Sequence, residues 1–330
     1  MPNSIFQSWH QKDLKSLFSS AYKDIGAQKK QIKQRFQHIV HEISAAFLSR
    51  KYSIDKILFT YNKYIDPLLR CFCPTFDSIS VIAIGGYGRK ERALYSDIDL
   101  LFLAQNDQLL HNQRLFEYID VLQSLPVRIG YCTHNFDSLI TYANNDVHLL
   151  TALIDARFIC GSDAGMVYLK EILHNKKNLP CFHDFFIRKC QEQKARDYKY
   201  PASGVPDIKN TVGNLRYLHT LYWLFKFMFP KNTINRVLQQ KYISQPEVHR
   251  LKNAHCLFSE IRFYLHIYYQ RQENRLLLDG QQAVINFFSV DSGRPIDPFM
   301  YRYHKTTQEV SRINYAIIAR FANSVNLPKP

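Results

Sequence analysis

A chain of 330 residues that is 46% hydrophobic can bury a sizeable core in two or at most three domains and needs no disulfide staples. Its seven cysteines share no repeated spacing, no apolar run reaches roughly 18 residues, and the start lacks a signal peptide, so a soluble, cytoplasmic chain with reduced thiols and no zinc site is expected. The formal charge of +15 favours nucleotides, nucleic acid or an acidic protein surface as partners, but basic residues are spread from Lys12 to Lys329 and single out none of them.

From about Leu14 to Leu69 apolar residues recur at helical spacing, as in Ile32, Phe36, Val40, Ile43 and Phe47, which predicts one or two amphipathic helices forming a brace over residues 1–70. Ile79–Ile84 is short, β-branched and followed by glycines, the pattern of a buried strand. Asp97–Ala104 reads as a second strand, Asn106–Gln123 as a helix and Pro126–Thr133 as a third strand. This alternation predicts a compact α/β unit over 71–160. Beyond Gly161 the helical period dominates, over Leu169–Leu173, Phe185–Tyr198, Leu215–Phe229, Val248–Tyr269, Ala283–Phe288 and Phe299–Phe321, so 161–330 is expected to be an all-α bundle. The fold class is therefore α+β. Lys199–Gly213 is too polar and broken to be core and is a candidate site wall.

The chemistry concentrates between the first two strands. Gly85 and Gly86 let the backbone approach a triphosphate, and Arg89 stands ready to neutralise it. Asp97 and Asp99 follow at i and i+2, which puts both carboxylates on one face of a strand, where they can ligate one or two magnesium ions (Mg2+). Two like charges on an apolar strand repel unless a cation lies between them. Ser96 would cap the turn or orient a phosphate. A plain strand-to-turn corner explains the glycines alone, and a solvated strand edge explains the aspartates alone; their order in one short connection favours the site. His38 and His41 share a helical face without companion ligands and define no metal site.

Gly85–Leu101 resembles, almost position for position, the signature of the PII uridylyltransferase/uridylyl-removing enzymes of bacterial nitrogen signalling, whose transferase domain has the DNA polymerase β-like fold. Thr151–Arg157 with Gly161, Pro206–Arg216, Arg262–His266, Arg275–Asp279 and Met300–Tyr303 continue the likeness to the C-terminus. The resemblance implies a polymerase β-like nucleotidyltransferase domain at 71–160 and a helical bundle after it. It also implies transfer of UMP from UTP, with release of pyrophosphate, to a PII-like protein. Asp97 and Asp99 would be the catalytic metal ligands; Gly85, Gly86, Arg89, Ser96, Lys209 and Arg216 would hold the nucleotide. A catalytically weak nucleotide- or partner-binding module, or transfer to another protein or to RNA, are the alternatives.

The chain also departs from the family's pattern. It stops at Pro330, where full-length members continue into an HD hydrolase domain and paired ACT domains, so neither is expected here. Gly130–Asn135 stands where the family has Gly-His-Ser-Val-Arg-Thr, and the predicted third strand carries no carboxylate to serve as the third acid of such enzymes; Asp137 is the nearest one downstream. Asn214 replaces a family glycine and Tyr217 an aspartate. His266 and Asp279 match family positions, but a histidine among Phe263, Leu265 and Ile267 fits a hydrogen-bonded core residue.

Overall fold

The computed structural model describes residues 24–175, 179–289 and 297–324. They form two compact units. The first takes in the chain up to Ala143 together with Asp155–Glu171, and the second Asn144–Ile154 and the chain from Ile172. The part of the predicted brace before Asp24 lies outside the described residues.

In the first unit, Asp24 caps α1 (Ile25–Leu48) by accepting from the amides of Gly26 and Ala27, and Ser53 caps α2 (Ile54–Phe72) through the amide of Lys56. The apolar stripe Ile32, Phe36, Ile39, Val40, Ile43 and Phe47 is buried, as its 3.6-residue period requires. Four strands follow: β1 (Ile79–Ala83), β2 (Ile98–Ala104), β3 (Ile129–Asn135) and β4 (Arg157–Gly161). They lie in the order β3-β2-β1-β4, with β2/β3 parallel and the pairs β1/β2 and β1/β4 antiparallel. Every residue of β1 is buried, and so is every residue of β2 except Asp99.

The direction of the strands gathers one end of the sheet. The C-terminus of β1 and the N-termini of β2, β3 and β4 meet there, with Ala83 paired to both Leu100 and Arg157, and Asp99 paired to Gly130. The single-turn helix α3 (Gly85–Gly88) sits on that end. The helix expected over Asn106–Gln123 is divided into α4 (Asp107–Leu110) and α5 (Gln113–Gln123), because Asn112 starts a new cap at the amide of Arg114. β3 begins at Ile129, three residues later than predicted. α6 (Phe136–Asn145), α7 (Val147–Ile154), which belongs to the second unit, and β4 were not anticipated as elements.

The rest of the second unit consists of the end of α8 (Ala164–Asn175), α9 (Phe182–Lys199), α10 (Leu215–Met228), α11 (Thr233–Gln239), α12 (Gln245–Tyr269), α13 (Leu278–Ser289) and α14 (Asp297–Ser324). Ser244 and Glu247 form a capping box at the start of α12. The core joins Ile208, Leu218, Phe258, Ile261, Leu276 and Tyr303. His266 is fully buried on α12, which agrees with its core reading, and Asp279 accepts from the Tyr269 hydroxyl at 2.8 Å. All seven cysteines are free thiols. No helix among the described residues is long and apolar enough to cross a membrane.

The reading of Lys199–Gly213 as non-core is corrected by its second half. Ile208 is fully buried, and Asp207, Thr211 and Asn214 are buried with it. The polar sequence satisfies itself: the Asp207 carboxylate accepts from the amides of Lys209 and Asn210, both at 2.8 Å, and the Thr211 hydroxyl accepts from the Asp207 amide. Backbone bonds from Ile208 to Asn274 and from Leu276 to Pro206 tie the turn into the bundle. Gly213 has φ +77°, and a Cβ there would lie 2.1 Å from the Thr307 carbonyl oxygen, so only glycine fits.

Candidate active site

Asp97 and Asp99 stand at the gathered end of the sheet, and the surrounding chain is built to leave their carboxylates room. Asp97 Oδ1 is buried and has no hydrogen-bond partner among the described residues. A buried carboxylate oxygen left without a donor costs roughly 1–3 kcal/mol or more, a cost that a bound cation would remove. Asp99 lies between two glycines. A Cβ at Gly130 would meet Asp99 Oδ1 at 2.5 Å, and one at Gly85 would meet Oδ2 at 3.5 Å. Gly85 also has φ +57°, which turns the chain out of β1 and into α3. The orphaned oxygen and the two glycine-lined walls fit an oxygen-seeking divalent cation. Burial, with the Asp99 carboxylate adding to it, pushes the Cys132 thiol up to about 11.

The loop that carries these carboxylates is clamped by Arg92, a residue that sequence reasoning passed over. Its side chain is buried, and it donates to the carbonyl oxygens of Ser96 at 2.8 Å, Asp97 at 3.3 Å and Leu94 at 3.3 Å, and to the Tyr61 hydroxyl. Its guanidinium carbon lies 5.1 Å from the Tyr61 ring centre and 5.8 Å from that of Phe36. Tyr61 in turn donates to the Leu94 carbonyl at 2.6 Å, and Asn62 donates to the Lys90 carbonyl at 3.0 Å, holding Lys90 at φ +62°. α2 is thus the platform for the whole connection. The only sequence signal for this was a buried-helix period with an Asn and an Asp on its inner face.

α3 is held by α2 and the start of β4. The Tyr87 hydroxyl donates to Asp66 Oδ1 at 2.7 Å, and Arg157 at the start of β4 pairs with both oxygens of Asp66 while donating to the carbonyls of Tyr87 and Gly88. Gly88 lets Asp155 approach, since a Cβ would lie 2.1 Å from the Asp155 carbonyl oxygen.

The predicted nucleotide ligands fall into two groups. Gly85, Gly86, Arg89 and Ser96 join Asp97 and Asp99 in the first unit. Arg89 is buried with its guanidinium engaged by Asp155 and by Glu91 at 2.8 Å, and these two carboxylates hold it charged against the cost of burial. Its Nη2 lies 3.9 Å from where a Gly86 Cβ would be, so the ion pair runs along the glycine turn. Ser96 is buried, and its amide closes the turn onto the Ala93 carbonyl. Lys209 and Arg216 belong to the second unit, where the Arg216 amide donates to the Lys209 carbonyl at 2.9 Å. Tyr217, in place of the family's aspartate, donates to Asp197 at 2.8 Å, and Asn214 accepts from the Tyr303 hydroxyl at 3.1 Å.

The expectation that Asp137 lies nearest to serving as a third acid is corrected. β2 and β3 are parallel, so the start of β3 adjoins Asp99, whereas Asn135 pairs with Ala104 at the opposite end. Asp137 follows Asn135 and is separated from Gly130 by more than roughly 16 Å of strand. The residue that adjoins Asp97 is Arg128, whose carbonyl accepts from the Ile98 amide at 3.0 Å. Among the described residues, the only group of three His, Cys, Asp or Glu side chains with ligand atoms mutually within 4.8 Å is Cys181, His183 and Asp184, at the N-terminal end of α9.

Residues 184–318 match the family model described as GlnD PII-uridylyltransferase. The chain is 30% identical over 289 residues to a bifunctional uridylyltransferase/uridylyl-removing enzyme of Hydrogenovibrio crunogenus, an alignment covering 83% of this chain and 32% of that protein. It is 29% identical over 295 residues to the enzyme so named in Acinetobacter baylyi, covering 86% and 33%, and 30% identical over 284 residues to that of Aliivibrio fischeri, covering 83% and 32%. The chain therefore spans about a third of the length of these relatives. The chain thus carries a GlnD PII-uridylyltransferase family-model domain over its helices, and the longer alignments extend its similarity to bifunctional uridylyltransferase/uridylyl-removing enzymes over most of the chain.

Proposed function

We propose that the chain is a metal-dependent nucleotidyltransferase that moves UMP from UTP to a hydroxyl on a PII-like protein in the cytoplasm. The carrying observation is the carboxylate pair, in which Asp97 has a buried oxygen without a partner and Asp99 is flanked by Gly85 and Gly130. The names of the relatives support uridylyl as the group moved.

Asp97 and Asp99 would hold one or two magnesium ions. When bound, magnesium neutralises the triphosphate and stabilises the charge that develops as pyrophosphate leaves. The acceptor oxygen bonds to the α-phosphorus, the bond to the bridging oxygen breaks, and the hydroxyl proton passes to solvent. Gly85 and Gly86 let the phosphates approach the backbone. Arg89 acts by positioning, because Asp155 and Glu91 already engage its guanidinium along the glycine turn. Arg92 keeps Asp97 in register by binding its carbonyl and that of Ser96.

A second reading, a nucleotide-binding module with weak catalysis, is favoured by one observation. β3 has Gly130 across from Asp99 and Arg128 beside Asp97, with no carboxylate on the strand to take the acceptor proton. Incubation with each of the four nucleoside triphosphates and a PII protein, read by intact mass, separates the two. Addition of UMP that is lost in the Asp97→Ala/Asp99→Ala protein supports the transferase. Undiminished addition by that variant sinks it, and nucleotide binding without any addition favours the module.

A further inference from the structure

In the second unit, α9 and α10 bury a cluster in which cations outnumber carboxylates. The Lys189 side chain is 1% exposed; it donates to Glu192 and stands 4.3 Å from the centre of the Trp223 ring. Arg196, two turns further along α9, donates Nη1 to the other Glu192 oxygen at 3.3 Å. Arg216 brings its guanidinium carbon to 5.5 Å from the same Trp223 ring. Lys189 and Arg196 thus meet on Glu192, and Arg216 shares the Trp223 ring with Lys189. Asp197, the next carboxylate on α9, is engaged by the Tyr217 hydroxyl at 2.8 Å and the Tyr315 hydroxyl at 3.4 Å.

The Arg196 side chain is only 9% exposed, yet its Nε and Nη2 are buried and donate to nothing among the described residues. Two parallel donors of one guanidinium are the fork that an oxyanion accepts, and a buried guanidinium without that partner is a costly arrangement. Gln193 Oε1 and Asp197 Oδ1 are also buried without partners, so the fitting oxyanion is hydrated or carries a proton. Glu192, 17% exposed, has the exposed His148 imidazole 3.8 Å away, which leaves the cluster open toward solvent.

We propose that Lys189, Arg196 and Arg216 form a binding site for a phosphate group on the helical unit, with Arg196 as its bidentate donor. The site rests on no step of the nucleotidyl transfer and on no bound metal. Its source is either free phosphate or the phosphate chain of a nucleotide.

The chain has two tryptophans, so Trp9→Phe leaves Trp223, beside the cluster, as the sole tryptophan, excited selectively over tyrosine. Its fluorescence is titrated with inorganic phosphate, pyrophosphate and UTP in magnesium-free buffer, against chloride at equal ionic strength. A saturable change is expected, with affinity about tenfold weaker or more in Arg196→Gln and in Arg216→Gln. A response to UTP and pyrophosphate identifies the nucleotide chain as the source, and a response to inorganic phosphate alone identifies the free ion. The proposal is overturned if none of the three anions gives a saturable change or if both variants bind like the parent.

Discussion

Gly130 stands across the parallel β2–β3 ladder from Asp99, and a side chain at 130 would begin 2.5 Å from the Asp99 carboxylate. The strand therefore gives up a side chain so that the carboxylate can point along the sheet end. The obstacle that Gly130→Ala would meet is a movable carboxylate, so the fold should lose only about 1 kcal/mol, the low end for overpacking. Manganese binding, measured by calorimetry, should weaken about tenfold or more as Asp99 swings away. An unchanged affinity would show that Asp99 is no ligand.

Arg92 satisfies three carbonyl oxygens of the loop that ends at Asp97, and Tyr61 satisfies one of the same three. Arg92→Met leaves several buried acceptors without a donor and should cost roughly 3–5 kcal/mol in denaturant unfolding, against about 1 kcal/mol for Tyr61→Phe. Equal losses in the two variants would mean that the clamp is not concentrated in the guanidinium.

Burial pushes the Lys189 ammonium down to about 8, despite the opposing pull of Glu192, and Arg196 and Arg216 add to the depression. In the unfolded chain a lysine titrates near ~10.4. Between the two values the unfolded state binds the extra proton, so stability should rise as the pH is raised from about 8 toward about 10. Below that window both states are protonated and the contribution is constant. Urea midpoints across this range should climb less steeply in Lys189→Met than in the parent; parallel curves would refute the assignment, since the other titrating groups are common to both proteins.

The sequence by itself determined the parts whose chemistry is local. Gly85, Gly86, Asp97 and Asp99 lie within one connection, so a turn that needs glycine and a strand that spaces two carboxylates at i and i+2 are legible without any distant contact. The long helices α1, α10, α12 and α14 were equally legible, because a 3.6-residue period sustained over many turns survives wherever the helix packs. Five-residue β4 and seven-residue α11 carry too few periods to stand out.

Tertiary structure decided what depends on residues far apart in the chain. Asp66 and Arg157 meet across 91 positions to hold α3, and Arg89 is drawn to Asp155 across 66. The parallel direction of β3 puts Gly130 rather than Asp137 beside the carboxylates, and composition carries no information on strand direction. The polar turn at Asp207–Gly213 is core because its own side chains satisfy its amides, leaving Ile208 to be buried. In each case the deciding term is a hydrogen bond, an ion pair or a steric limit between segments that only the folded chain brings within reach.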